Sequence, residues 1–228
     1  MRIAVAGISG RMGSLIAKQV MHDQTCILSV ITSRNENAMC GELKAQSWLS
    51  PNFDVLIDFS LPIAALENLK FCVAHNKPLV IGATGFTDVE LHAIQDASKA
   101  IPIFKANNMS IGAHACNLAV KQIARLLDES WQITIEESHH QTKRDAPSGT
   151  ALMLSESIKS AGFTNDLRIN SIRDEQTIGI HKIVFSNRLE SIELSHVALS
   201  REIFASGALK AAKWLANQLP GLFNMENL

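Results

Sequence analysis

Gly7, Gly10 and Gly13 follow directly on a short apolar run, Arg2–Ala6, and lead into a helical pattern through Leu15, Ile16, Val20 and Met21. No other feature restricts the fold of this chain as much. Glycine tolerates a tight turn, lets backbone N–H groups come close to a bound group, and lets a helix pack against the preceding strand. A helix N-terminus is partially positive, so strand, glycine turn and helix together favour a pyrophosphate. The spacing is G-x-x-G-x-x-G, with Ser9 where the commoner G-x-G-x-x-G has glycine. Spacing alone also fits a plain structural turn; its place after the first strand favours nucleotide binding.

The next segments extend this pattern. Strand-like runs at 27–31, 53–60, 78–81 and 101–104 alternate with helical runs at about 63–75 and 88–99, which implies a parallel, doubly wound sheet. Loops after its strands, at 7–13, 60–62, 82–86 and 106–109, should gather at the carboxyl edge, where open α/β sheets bind ligands. The second strand ends in Thr32-Ser33-Arg34, without the acid that holds an NAD ribose. Arg34, helped by Arg11, suits a 2′-phosphate and favours NADPH, though such an arginine also serves as plain surface. The 82–86 turn lets backbone lie against a nicotinamide or its ribose, and the Asn-rich turn at 106–109 offers amides to a carboxamide.

From about 111 to 127 an apolar helix leaves this domain, and the pattern changes. A strand at 131–136, a loop to 150, a helix over about 150–161 and strands at 167–173, 177–186 and 190–198 make an α+β domain with an open sheet. A small-residue helix at 200–216 is expected to return to the first domain. The expected fold is therefore α/β, a Rossmann-type doubly wound parallel sheet with an inserted α+β substrate and oligomerisation domain. Residues 1–110 and 200–228 form the dinucleotide-binding domain and 111–199 the inserted one, with the crossings near 110 and 200 serving as a hinge.

Chemistry concentrates in Glu137-Ser-His-His-Gln-Thr-Lys-Arg-Asp-Ala-Pro-Ser-Gly-Thr150. Two imidazoles (His139, His140), two cations (Lys143, Arg144) and two carboxylates (Glu137, Asp145) stand together in a chain that is only 19% charged. Histidine exchanges protons near neutrality and lysine adds fixed charge or a second proton. Ser148, Gly149 and Thr150 open a helix whose N-terminus can receive an anion. A charged surface loop ending in an N-cap is the plain alternative. Adjacent histidines diverge and no second His/Cys/Asp cluster stands at ligand spacing, so no metal is expected.

Composition narrows the partners. The net charge of −1 and the lack of a basic block argue against nucleic acid. No apolar run reaches the roughly 18 residues of a membrane span, and no targeting segment is evident. Cys26, Cys40, Cys72 and Cys116 are scattered without a C-x-x-C pair, as expected of reduced thiols in a cytoplasmic protein. Tyrosine is absent, which removes the Tyr-x-x-x-Lys mechanism of short-chain dehydrogenases.

The run E-S-H-H-Q-T-K-R-D-A-P-S-G-T-A resembles the signature E-[AS]-H-H-x-x-K-x-D-A-P-S-G-T-A of the 4-hydroxy-tetrahydrodipicolinate (dihydrodipicolinate) reductase family. G-I-S-G-R-M-G, G-A-T-G-F, N-M-S-I-G, S-R-E-I-F-A-S-G-A-L-K-A-A-K-W and P-G-L-F-N-M resemble its other blocks in order, across essentially the whole chain. The resemblance implies reduction of a cyclic imine dicarboxylate with NADPH or NADH, in the diaminopimelate branch of lysine biosynthesis. It implies His139 as acid/base residue and Lys143 as proton donor, with His140, Gly149 and Thr150 on the substrate carboxylates and Lys143 and Ser148 nearby in the substrate site. Gly7, Ile8, Ser9, Gly10, Arg11, Met12, Arg34, Gly82, Ala83, Thr84, Ala106, Asn107, Asn108 and Met109 would hold the dinucleotide. It also implies a homotetramer assembled through the sheet of the second domain.

The chain departs from the family pattern in being short, at Ser33, Ala83, Asn107 and Met109, and around Arg201, a further candidate substrate contact. Two other readings stay open: a dinucleotide sensor without turnover, and a reductase of the same architecture acting on an imino acid.

Overall fold

The structure, a computed structural model, describes every residue except Glu36, Trp48 and Arg144, so the second cation of the 137–150 run lies outside the described residues. Two compact units form, Met1–Met109 with Glu202–Leu228, and Ser110–Arg201.

In the first unit, β1 (Arg2–Ala6), α1 (Arg11–His22), β2 (Ile27–Thr32), β5 (Val55–Asp58), α2 (Pro62–Ala74), β6 (Leu79–Ile81), α3 (Asp88–Ala97) and β7 (Pro102–Lys105) alternate as the periodicity requires. All the strand pairings of its large sheet are parallel. The strand runs are short and mostly apolar because both faces are covered. Ile3, Val5, Val55, Ile57, Val80 and Phe104 point to one face with α1, while Ala4, Ala6, Leu56, Leu79, Ile81 and Ile103 point to the other with α2 and α3. Each large side chain so buried contributes about 1.5–3 kcal/mol.

Three strands lie outside the sequence expectation. A small hairpin, β3 (Met39–Cys40) with β4 (Leu43–Lys44), forms inside the stretch 35–52. The C-terminal run supplies β12 (Gly221–Phe223), paired with β7 at the sheet edge. The order is β12-β7-β6-β5-β1-β2, so the sense in which strands are added to the sheet switches between β1 and β5. At that switch point a Cβ on Gly7 would lie 3.4 Å from Ser60 Cα.

The helix α6 (Glu202–Leu215) belongs to this unit and buries Ala205, Gly207, Ala208, Ala211 and Ala212. Its small side chains have a measurable reason, since a Cβ on Gly207 would stand 1.7 Å from the Met109 carbonyl oxygen.

The second unit is a four-stranded sheet, β11-β10-β8-β9, from β8 (Gln132–His140), β9 (Leu167–Asp174), β10 (Gly179–Ser186) and β11 (Ser191–Ala198). β8 pairs parallel to β9 and antiparallel to β10, which pairs antiparallel to β11. Helices α4 (Ile111–Ala124) and α5 (Gly149–Ser160) cover one face through Val120, Leu154 and Ile158 against Ile133, Ile135, Ile183 and Phe185. Among the described residues, no helix is long and apolar enough to cross a membrane.

Candidate active site

Strand alternation decides the chemistry of the second unit. The register places Ile133 and Ile135 of β8 beside Phe185 and Ile183 of β10, and the next inward position pairs Glu137 with His181. On the other side His139 stands opposite Arg173 of β9. One covered sheet face thus runs from apolar to ionisable, while Ser138 and His140 point the other way.

This changes one expectation. Residues 137–140 are not loop but the end of β8, because β9 and β10 go on pairing with it through His140 and Ser138. The histidines therefore diverge as strand neighbours do: His139 is buried and His140 half-buried.

Glu137 is fully buried and both its oxygens are engaged. Oε2 accepts the Nδ1–H of His139 in a very short bond, and Oε1 accepts from Nη2 of Arg173 at 2.8 Å. The same Nη2 donates to the Asp145 carbonyl at 2.7 Å, which ties β9 to the segment before α5. Burial pushes the Glu137 pKa up, but Arg173, Ser171 and His139 outweigh it, and the group stays below its ordinary value. Burial lowers the His139 pKa; Glu137 opposes this, and Lys143 and Arg173 reinforce it. The neutral ring donates Nδ1–H to Glu137, which leaves its lone pair on Nε2. A Cβ on Gly179 of β10 would lie 3.1 Å from that nitrogen.

Glu137, His139 and His181 place one carboxylate and two imidazoles within 4.8 Å of one another, a cluster that spacing along the chain did not show. Such a set is also what a cation needs. Here the two Glu137 oxygens already accept from the Arg173 guanidinium and the His139 imidazole.

Around α5 the remaining side chains gather. Lys143 Nζ donates to both oxygens of Asp145 at 2.8 Å. Burial raises the Asp145 pKa, but Lys143 and backbone N–H groups, that of Gly149 among them, hold it below the usual carboxylate value. Ser148 is the α5 N-cap, its Oγ accepting from Ala151 N at 3.2 Å and pairing with His181 Nε2 at 3.1 Å. A Cβ on Gly149 would meet nothing within 4 Å, and Thr150 follows in the first turn. His140 Nε2 faces Arg201 Nη2 at 3.3 Å, and since guanidinium only donates, the His140 Nδ1 carries the proton shared with Thr142 Oγ1 at 2.7 Å. Arg201 is thus brought to the site by His140. Sequence reasoning missed Arg173, His181 and the orienting role of Glu137.

The first unit carries a turn fit for a dinucleotide. Gly7 has φ +77°, a Cβ on Gly13 would stand 2.2 Å from the Gly7 carbonyl oxygen, and Gly10 caps α1 without a side-chain bond. Ser9, Gly10, Arg11 and Arg34 are exposed, Met12 is half-buried, and Ile8 is buried with its N–H donated to the Thr32 carbonyl. Ser33 is buried, with its hydroxyl between Ser9 Oγ and the Asn35 N–H, so it is held in the turn. Gly82 has a packing reason: a Cβ there would fall 2.2 Å from the Phe59 ring. Ala83 and Met109 are buried, Thr84 and Asn107 exposed, Ala106 and Asn108 half-buried. A cavity of about 510 Å³ runs along α1 past Ile8, Ser14, Lys18 and Met39, but none of the glycines of the first turn lines it.

Two family profiles match, described as dihydrodipicolinate reductase, N-terminus, over residues 1–109 and dihydrodipicolinate reductase, C-terminus, over residues 112–228. A curated 4-hydroxy-tetrahydrodipicolinate reductase of Buchnera aphidicola subsp. Cinara cedri is 34% identical over 262 residues, spanning 100% of this chain and 96% of the relative. One from Syntrophotalea carbinolica is 33% identical over 263 residues, spanning 100% and 98%. The aligned spans exceed the 228 residues of this chain, so both relatives carry segments it lacks. Among solved structures, the dipicolinate-bound dihydrodipicolinate reductase from Paenisporosarcina sp. TG-14 superposes with TM-score 0.82 at 24% identity, over 100% of this chain and 99% of that one, which supports the shared fold. Profiles that together cover nearly every residue, and relatives above 30% identity along the full length, establish that the chain belongs to the dihydrodipicolinate reductase family.

Proposed function

We propose that this protein reduces 4-hydroxy-tetrahydrodipicolinate, via dihydrodipicolinate, to tetrahydrodipicolinate in the diaminopimelate branch of lysine biosynthesis, using NADPH or NADH. The observation that carries the proposal is a buried imidazole, His139, fixed through Nδ1 by the Glu137–Arg173 pair, in the same unit as a serine-capped helix start with open space at Gly149. The names of the curated relatives support the substrate assignment. The unit Met1–Met109 with Glu202–Leu228 takes the dinucleotide, and Ser110–Arg201 takes the substrate.

When bound, the reduced nicotinamide supplies a hydride to the conjugated ring. Gly7 to Met12 hold its pyrophosphate, chiefly through the N–H groups that open α1, since those of Gly7 and Ile8 are given to the Thr32 carbonyl and that of Gly10 to the Gly7 carbonyl, with Gly82 to Thr84 and Ala106 to Met109 completing the site. His139 is the acid/base residue and Lys143 the proton donor, meeting charge that develops on the ring. His140, Ser148, Gly149 and Thr150 hold the two carboxylates. Asp145 holds the Lys143 Nζ in place through both its oxygens.

NADPH is the preferred donor in this proposal, because Ser33 is occupied within its turn while Arg34 and Arg11 are exposed cations suited to a 2′-phosphate. No metal role is assigned. A homotetramer through the sheet face opposite α4 and α5 is proposed from the exposure of Ile172 and Val197 there, 51% and 48%. We place the protein in the cytoplasm, with four free cysteines as support.

The test is a coupled assay that follows NADPH loss with aspartate semialdehyde, pyruvate and a synthase. Turnover that depends on all three is the expected result. NADPH binding without oxidation would mean a sensor, and indifference to pyridine-2,6-dicarboxylate a monocarboxylate enzyme.

A further inference from the structure

His181 has no part in the roles above, yet it is 4% exposed and sits against the α5 start. Its ring lies 5.1 Å from that of His139, edge on, and its Nε2 is 3.1 Å from Ser148 Oγ. Its Nδ1 is buried and has no partner among the described residues.

Two neutral tautomers are possible, and the hydroxyl inventory separates them. Ser148 Oγ has one hydrogen to give and two lone pairs to accept with, and one lone pair is taken by the Ala151 N–H. With the proton on Nδ1, Ser148 must donate to Nε2, and a buried N–H is left without an acceptor. With the proton on Nε2, Ser148 accepts twice, only a bare ring lone pair is left unmet, and the serine hydrogen is free to point elsewhere. Orphaned buried N–H groups are rarer than under-satisfied acceptors and leave a full desolvation penalty.

We propose that His181 is a positioning residue that donates Nε2–H to Ser148 and thereby commits the Ser148 hydroxyl hydrogen to a ligand carboxylate at the start of α5. Its value lies in selection between acceptors: a hydroxyl fixed as donor favours an ionised carboxylate over a neutral amide or ester carbonyl, since bonds to charged acceptors are the stronger ones. Burial, assisted by repulsion from His139 and His196, lowers the His181 pKa to about 4, which keeps the ring neutral at working pH. The carboxylate-binding role of Ser148 rests on the function proposed above; the tautomer does not.

The test therefore has two arms. In the ¹⁵N-labelled protein near pH 7.5, ring nitrogen shifts and one-bond N–H couplings should place the His181 proton on Nε2; a proton on Nδ1 overturns the proposal whatever the enzyme reduces. In the second arm, pyridine-2,6-dicarboxylate is titrated calorimetrically into the NADPH complex. His181→Leu should weaken its binding about 10-fold, the worth of one hydrogen bond to a charged acceptor. His181→Gln, which restores an N–H near the same place, should recover most of that loss, with NADPH affinity unchanged in both. In a Ser148→Ala background His181→Leu should add no further loss. An undiminished effect of His181→Leu in that background overturns the proposal, because the imidazole would then act other than through Ser148. Failure of the wild-type protein to bind the dicarboxylate at all would sink the assigned reaction, and the ring tautomer would still decide the role of His181.

Discussion

Gly149→Ala separates what the fold needs from what a ligand needs. The glycine opens α5, its φ is outside the left-handed range, and a Cβ at this position meets nothing within 4 Å. The fold thus gives no steric reason for glycine here, in contrast to Gly13 and Gly207, where a Cβ would press on carbonyl oxygens at 2.2 Å and 1.7 Å. Alanine loses less backbone entropy on folding, so the substitution should leave stability unchanged or raise it by about 0.4–1 kcal/mol. If a substrate carboxylate lies against this helix start, the methyl stands in its place. Forcing one methyl into an occupied contact costs about 1–3 kcal/mol, which is roughly a 5- to 150-fold loss of affinity.

The assay is threefold: a urea or thermal melt, NADPH binding by fluorescence, and KM for the dicarboxylate in the coupled reaction. The expected pattern is an equal or higher melting temperature, unchanged NADPH affinity, and a KM raised by about an order of magnitude or more. An unchanged KM would refute the placing of the carboxylate at α5. A lowered melting temperature would refute the claim that the space is open.

Four further outcomes are expected. Replacing His139 or Lys143 by alanine should lower kcat about 100-fold or more with NADPH affinity nearly unchanged, and affinity falling in step with rate would contradict their roles. Because the His181 pKa is lowered from 6.5 to about 4, the folded protein binds fewer protons than the unfolded chain between those values. Stability from this group is full above pH 6.5 and lost as pH falls to 4, by about 3 kcal/mol, so urea midpoints should fall across that window and His181→Gln should flatten the slope. Gly207→Ala should destabilise by about 2 kcal/mol or more, since the methyl meets the Met109 carbonyl, and an unchanged melting curve would show that α6 can shift. Arg34→Ala should raise KM about 10-fold for NADPH and little for NADH; equal effects would remove Arg34 from 2′-phosphate recognition.

The first unit was legible because its rules are local. A buried parallel strand is an apolar run, a glycine turn must precede α1, and alternation of such runs with helices leaves few topologies. What escaped was short: β3, β4 and β12 hold two or three residues each, too few to show a period, and are stabilised by neighbours already in place. Gly82 illustrates a different limit. The sequence offers a glycine in a turn and a ligand reason for it, while the structure supplies a Phe59 ring that already needs the space.

The site was legible as a list and not as an arrangement, and strand register explains the difference. His139 and His140 are neighbours in sequence, yet β8 turns one to Glu137 and the covered face and the other to Thr142 and Arg201. A loop would impose no such division, whereas a strand does so at every step. Arg173 and His181 come from β9 and β10, and nothing near them in sequence marks them as partners of Glu137; only the pairing of Glu137 with His181 and of His139 with Arg173 does. A slip of one residue in β10 would turn His181 to the other face and leave Ser148 without its donor, so the polar row and the sheet register stand or fall together. The apolar rows Ile133–Phe185 and Ile135–Ile183 fix that register by burial. The hydrophobic half of the face therefore aligns Glu137, His139 and His181, and a substitution there should disturb His139 by way of the strand that carries it.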